Sequence, residues 1–326
     1  MRIKIFCIIC CFIALTSAGA VDFTDIFEKN ICNISTPISV KYTIEHVKDH
    51  PEYKSEEMNK QLPDADYEFT SNGADKQMLK IVSHAPIYDG KPYNARALTI
   101  GDSSVLYIEN IKRCIVLEKD KNNQTPQTFW EYLTLLPNDS FLTKGEMITN
   151  LIEKFASKGE LTAKTADGEE VFEYRMDSEK TKKSETSLVL TLKLKKFGEK
   201  LYPTLIKLQT LKLGQNSERE IFPPRMEIIY DNYIKLEHSN IYIPKFVEIK
   251  RANLYYPDND LNAALKNDIR YWIRIKVNNV ADSKEIIEEK LKFKIPDGTI
   301  IENKSDGKQF IIRGNLQKIS DSLMEK

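Results

Sequence analysis

Glycine is scarce in this chain. Twelve glycines in 326 residues leave little material for the loops that cradle phosphates. No P-loop, GxGxxG or GxSxG run occurs, which removes the common signatures of nucleotide-dependent and α/β-hydrolase chemistry. Histidine is scarcer still, with only His46, His50, His84 and His238. His46 and His50 are four apart, a ligand spacing on a helix. Here His46 ends a strand-like run and His50 precedes Pro51, whereas a metal site needs three or four converging ligands. No HExxH is present, so the expectation is no metal and no cofactor.

Cysteine is almost absent from the body of the chain. Of five cysteines, Cys7, Cys10 and Cys11 sit in an N-terminal apolar run, leaving Cys32 and Cys114. The two are a candidate disulfide in an exported chain, or else two buried thiols. No CxxC occurs, so neither a zinc ribbon nor a thioredoxin-type site is supported. Cys114 lies in KRCIVLE, which reads as a buried strand and points to a structural role rather than a nucleophile. Acidic residues are plentiful but scattered over strand faces and turns, with no signature that assigns them to catalysis. A non-enzyme is expected.

Net charge is missing too. Forty-eight basic residues balance 48 acidic ones, which argues against a nucleic-acid or anionic-membrane binder. The only long apolar run is Ile5–Leu15, too short to span a bilayer comfortably. Arg2 and Lys4 precede it and Ala18-Gly19-Ala20 follows it, the three parts of a signal peptide cleaved after Ala20. Residues 1–20 are therefore expected to be a leader and 21–326 a single domain. The product would be exported, periplasmic or extracellular, with no stable membrane span.

What the chain has is alternation. In Ser39–Val47, Val40, Tyr42 and Ile44 share one face. In Ser187–Phe197, Leu188, Leu190, Leu192 and Leu194 oppose Thr191, Lys193 and Lys195. In Asp268–Val277, Ile269, Tyr271, Ile273, Ile275 and Val277 alternate with Arg270, Trp272, Arg274 and Lys276, and Lys290–Ile295 repeats the pattern. Period two with one apolar face predicts antiparallel strands. Asn72-Gly73, Asp167-Gly168, Asp231-Asn232, His238-Ser239-Asn240 and Asp306-Gly307 punctuate the runs as turns.

Helical spacing occurs in two main windows. Thr125–Leu136 opens on Thr-Pro and lines up Phe129, Tyr132, Leu133 and Leu136. Thr143–Gly159 lines up Met147, Leu151, Ile152 and Phe155. Short helices are also expected at Phe23–Ile31 and Leu316–Met324. Strands, two helices, then more strands predict an α+β domain built on a large curved antiparallel sheet. A split into two β-domains near Leu161 is the second possibility.

The C-terminal half carries a resemblance. Arg225–Arg251 gives a strand, a polar turn and an aromatic-Pro strand. The chain then reaches KIPDGTIIEN, with Ile295, Pro296, Gly298, Thr299, Ile301 and Asn303 in an I-P-x-G-T-x-I-x-N order before a closing hairpin. From Leu188 to Ile312 this order resembles exported LolA-like proteins of planctomycete-type bacteria. The resemblance implies an incomplete β-barrel with helices packed against its concave face. It also implies an apolar cavity for lipid or lipoprotein acyl chains. The candidate ligand-lining residues are Trp130, Leu133, Leu151, Phe155, Tyr230, Tyr271 and Trp272. Trp272 stands among cations, which fits either cation–π packing or an exposed binding stripe. The alternative function is a non-enzymatic interaction domain with a filled core.

Overall fold

The computed structural model describes residues 37–47, 64–73, 76–88, 90–100, 103–118, 155, 157–177, 185–213, 219–221, 224–252, 269–303 and 309–311. The expected leader, Cys32, the window Thr125–Leu136, most of Thr143–Gly159, the stretches Phe23–Ile31 and Leu316–Met324 expected to be helical, and Asp306-Gly307 lie outside these residues.

Sixteen strands join one sheet. A first meander holds β1 (Ile38–His46), β2 (Ala65–Ser71), β3 (Lys76–Tyr88), β4 (Lys91–Ile100), β5 (Ser103–Ile108) and β6 (Arg113–Glu118). A second holds β7 (Glu160–Ala166), β8 (Glu169–Asp177), β9 (Glu185–Phe197), β10 (Lys200–Leu213), β11 (Arg219–Ile221), β12 (Met226–Lys235), β13 (Tyr242–Ala252) and β14 (Ile269–Ala281). Two short strands, β15 (Ile300–Asn303) and β16 (Gln309–Ile311), finish the chain. The order across the sheet is β16-β15-β6-β5-β4-β3-β2-β1-β14-β13-β12-β10-β9-β8-β7, with β11 paired to β10 off this path. The first strand and the last long strand thus meet at the centre, and strands from both sides of Leu161 share one ladder. Among the described residues every pairing is antiparallel except β15 on β6.

Local chemistry explains the turns. Asp167 (φ 53°) and Gly168 (φ 76°) form a two-residue connection between Ala166 and Glu169, the primed geometry that Asp-Gly favours. At the β2–β3 turn the Asn72 side-chain oxygen accepts the Lys76 N–H at 3.0 Å, and Gly73 takes φ 77°. Asp231-Asn232 is different from its expected role. It does not end a strand. Asp231 pairs with Phe246 and Tyr233 with Pro244, while Asn232 (φ 55°) lies between them. The register is unbroken from Met226 to Lys235, so this left-handed residue sits within a continuous strand rather than in a turn.

The sheet has two distinct faces. On the inner face, Ile273, Ile249, Ile228, Ile206, Leu192 and Phe172 stand opposite one another across six strands, all buried. They belong to one apolar cluster that also takes in Val40, Tyr42, Ile44, Phe69 and Ile81. Phe155, just before β7, packs into the same cluster. The outer face carries Lys41, Glu68, Glu248, Arg274 and Lys193, as one-sided burial of alternating strands requires.

A short helix, α1 (Lys284–Lys290), follows β14 and lies against β1 and β2. Ile287 is its buried residue, and Leu291, the capping residue four positions on, is buried beside it. Lys290 Nζ reaches Ser39 Oγ and Glu68 Oε1, each at 2.9 Å. Ser39 and Glu68 are outer-face residues, so α1 covers the polar side of the sheet. Beyond it, Leu291, Phe293 and Ile295 turn inward while Lys292 and Lys294 stay exposed. Phe293 and Ile295 pack on Tyr107, Cys114 and Ile301. Lys290–Ile295 is therefore not the strand that its alternation predicts. It is the end of α1 followed by a strap that carries the chain across the outer face from β14 towards β6.

The α+β expectation is corrected by these facts. Among the described residues there is one large open sheet, one α-helix, a 3-10 turn at Glu109–Ile111 and a helical turn at Phe155. The helix sits on the outer face, not against the apolar one. No pairing between β16 and β7 closes the described sheet into a barrel. The period-two runs took over nearly the whole described chain, and this part of the fold is β.

The central inner row should dominate stability. Leu192→Ala is expected to cost about 2–5 kcal/mol, because the cavity it opens has no solvent access. Lys193→Ala, on the other face, should stay within about 0.5 kcal/mol. Urea unfolding of the two variants beside the parent checks this.

Candidate functional site

The inner face offers the most extended non-polar surface. A single row of opposed residues runs Val277, Tyr42, Tyr67, Ile81, Ala95, Ile108, Arg113, Ile300 and Ile311, from β14 to β16. Nine strands at their usual spacing span about 38 Å along the sheet. Tyr42 and Tyr67 stack with ring centres 5.3 Å apart. Arg113 is the row's only charged member. Exposure changes along it: Tyr42 is fully buried, Ile108 is 8% exposed, Ile300 39% and Ile311 57%. The row therefore begins deep in the core and emerges at the β15–β16 corner.

The turn between β5 and β6 shapes that corner. Lys112 takes a left-handed conformation (φ 47°) and its carbonyl accepts the Ile300 N–H at 2.9 Å. Ile111, beside it, is 41% exposed. The Arg113 guanidinium pairs with Glu302 on the same inner face. Glu302 is nearly buried, whereas Arg113 keeps 39% of its side-chain surface in solvent. At the opposite end of the sheet the equivalent edge position is Ala163, a small residue in an exposed and charged strand.

The outer face holds a separate cluster around Trp272. Its side chain is 5% exposed although it lies on the polar side. Lys250 Nζ sits 4.6 Å and Arg274 Cζ 5.4 Å from the ring centre. The indole N–H donates to Glu248 Oε1 at 2.8 Å. Glu248 also pairs with Arg274 at 3.2 Å and Lys250 at 3.5 Å, and Lys250 lies 4.0 Å from Glu227. Partial burial pushes the Glu248 carboxyl up, but the Trp272 and Arg274 hydrogen bonds and the two cations outweigh it and hold the group below its ordinary range. This is cation–π packing closed by its own counter-ion, and it presents little indole surface to a partner.

Cys114 is buried under the strap, and desolvation pushes its thiol up to about 12. Its expected partner Cys32 lies outside the described residues. His46 stands 3.5 Å from Asp64, and His84 3.0 Å from Asp66. Burial raises the Asp66 carboxyl, yet hydrogen bonds from Thr43 and His84 hold it below its usual value. Among the described residues no group of three or more His, Cys, Asp or Glu is placed to hold a metal ion.

Of the expected lining residues, Phe155 and Tyr230 are buried in the inner cluster. Tyr271 pairs with Arg251 in the β13–β14 ladder. Trp272 is on the other side of the sheet, so it does not share a surface with Phe155 and Tyr230. Trp130, Leu133 and Leu151 lie outside the described residues. The corner residues Ile111, Lys112, Arg113, Ile300 and Ile311 were not singled out from sequence. A signal was present: Ile300-Ile301 are consecutive isoleucines in a strand, so each face of β15 carries one and at most one of them can serve an ordinary single core.

Compared with known proteins, the chain matches no protein-family model and no curated protein.

Two outcomes follow. Glu248 has a folded-state pKa below its unfolded value, so its contribution is present above about pH 4.5 and is lost as pH falls through the folded value. Glu248→Gln should flatten that part of the stability profile, read as the urea midpoint between pH 6 and pH 3. In a chain starting at Val21 with Cys32→Ser, Cys114 should react with a disulfide reagent at pH 8 at least about a thousandfold more slowly than in urea, since a buried thiol near pKa 12 carries almost no thiolate. Absorbance of the released thiol gives both rates.

Proposed function

We propose that this chain is an exported, non-catalytic protein that binds a lipid, an acyl chain or an acylated polypeptide on its apolar inner face. The observation that carries the reading is the nine-strand row, apolar but for Arg113, that leads from the buried core to a solvent-exposed edge. Each methylene withdrawn from water onto such a surface contributes about 0.8 kcal/mol, so a few exposed positions suffice for useful affinity. The resemblance of Leu188–Ile312 to LolA-like carriers supports the same class of cargo. The perturbed carboxylates Glu248 and Asp66 are engaged in contacts between strands, which supports a non-catalytic reading.

A second reading, an interaction domain whose core is filled, is favoured by one observation. Ile38, Val40, Ile273 and Ile275 have no exposed area at the centre of the same face. The carrier reading needs only the emergent end of the row, and the two readings part on cargo.

Native mass spectrometry of protein purified from its own host is expected to show a bound species of lipid mass, lost after organic extraction. Adding back ligand at about a hundred times its dissociation constant should stabilise the extracted protein by about 2.7 kcal/mol. Lipid-free protein whose unfolding is unmoved by any added acyl lipid would leave the filled-core reading standing instead.

A further inference from the structure

We propose that the β6–β15–β16 corner is the loading site for one amphiphile with a single long acyl chain and an anionic head. The chain lies over Ile300 and Ile311, and the head sits between Lys112 and Arg113. This inference rests on the acyl-binding reading above and deepens it by giving the ligand a place and a charge.

Clustering is the first support. Four large apolar side chains are exposed among the described residues, and three of them, Ile111, Ile300 and Ile311, fall at this corner. Ile300 and Ile311 are directly opposed across the β15–β16 ladder, so their side chains share one face. Scattered exposed isoleucines need no account, but a contiguous group at the end of a buried row does. The other edge of the sheet shows that exposure of this kind is not forced by being an edge, since on the inner face of β7 Ala163 is small and Leu161 is partly buried against the main cluster.

Charge is the second. Lys112 is exposed and its backbone is fixed by the left-handed turn and by the hydrogen bond from Ile300. Arg113 faces the same side as the isoleucines, through its pairing with Ile300 and Ile108. Among the described residues two acidic groups, Glu302 and Glu109, are tied into this turn. Glu302 is taken up by Arg113. Glu109 bonds Asn94 and pairs with Arg96 at 2.5 Å, and Arg96 belongs to the outer face. Among the described residues, Lys112, Arg113 and Glu302 together carry one net positive charge. An acyl chain carrying a carboxylate or phosphate complements that combination, and a neutral or cationic amphiphile does not.

The experiment uses the full purified chain and a fluorescent anthroyloxy-stearate, beside its neutral methyl ester. The parent is expected to bind the acid about fivefold or more tightly than the ester. Ile311→Ser and Ile300→Ser should each weaken both probes, by about tenfold together, and Lys112→Glu should abolish the preference for the acid while leaving the ester unchanged. Circular dichroism and urea midpoints establish that each variant is folded, and Ile311→Ser alone, at the final strand, carries the test if Ile300→Ser is not. Binding by the parent that none of these substitutions alters would overturn the corner and leave acyl binding elsewhere intact. A parent that binds neither probe defeats the acyl-binding reading itself, and this inference with it. A parent dimer that Ile311→Ser converts to monomer, with no effect on either probe, would show that a second copy covers the corner, and would also overturn the proposal.

Discussion

The pairing of β1 with β14 holds the architecture together. Nearly every other ladder joins strands that are neighbours in sequence and can form as a local hairpin. The β1–β14 ladder joins residues some 230 apart, opposing Tyr42 to Val277, Ile44 to Ile275 and His46 to Ile273. It merges two meanders into one sheet and makes their inner faces a single surface. The bulge between Lys41 and Tyr42 adjusts the register, so that the apolar positions of both meanders meet on the same side. A one-residue slip here would present Trp272, Arg274 and Lys276 to the core side of β1. Loop-closure entropy must be overcome before this ladder forms, so it is expected to follow the local hairpins in folding.

With the seam in place, the chain leaves β14 at the centre of the sheet and must reach β6 at its far side. It does so over the outer face. Lys290 is tied to Ser39 and Glu68, and Phe293 and Ile295 seal Cys114 and Tyr107. This crossing explains why one part of the polar face is apolar. Val105, Tyr107, Val116 and Ile301 would be misplaced on a wet surface, but they are the floor of the strap. It also explains the one parallel pairing. A crossover over one face delivers β15 to β6 in the same direction, where a hairpin would have reversed it.

Much of the sheet was legible because its residues obey a short-range rule. Leu188 to Leu194, Val40 to Ile44 and Ile273 to Val277 announce their buried face by alternation alone, and Asn72-Gly73 and Asp167-Gly168 announce their turns by chemistry. The same rule misled at Lys290–Ile295. Alternation records which side of a segment is covered, not whether a ladder partner exists, and a strap lying on a sheet alternates as a strand does. Asp231-Asn232 was ambiguous for a related reason, since a left-handed residue marks a turn in most strands but here sits inside a ladder whose register is unbroken. The aromatic residues were the weakest guide. Tyr230 and Trp272 read alike as ring-bearing strand positions, yet register places one in the apolar cluster and the other under Lys250 and Arg274. The corner was legible only as an anomaly, two adjacent isoleucines, because the strands that flank it lie some 190 residues apart in the chain and no local pattern brings them together.

The anomaly is informative because β15 uses its two faces so differently. Ile301 is 1% exposed, pressed between the strap and Cys114. Its neighbour Ile300 contributes little to that packing and leaves apolar surface in water. For the stability of β15 a threonine at position 300 would serve, since it keeps the branched Cβ that suits a strand and adds a hydroxyl for solvent. Ile311 repeats the choice on the next strand, directly opposite. Two isolated departures from the polar edge expected of an open sheet would be unremarkable, but opposed residues on adjacent strands act as one surface. That surface is continuous in register with the deepest row of the core and has a cation set into it. Stability does not account for the combination, and the amphiphile proposed above, with its own apolar chain and its own negative charge, is the kind of ligand that would.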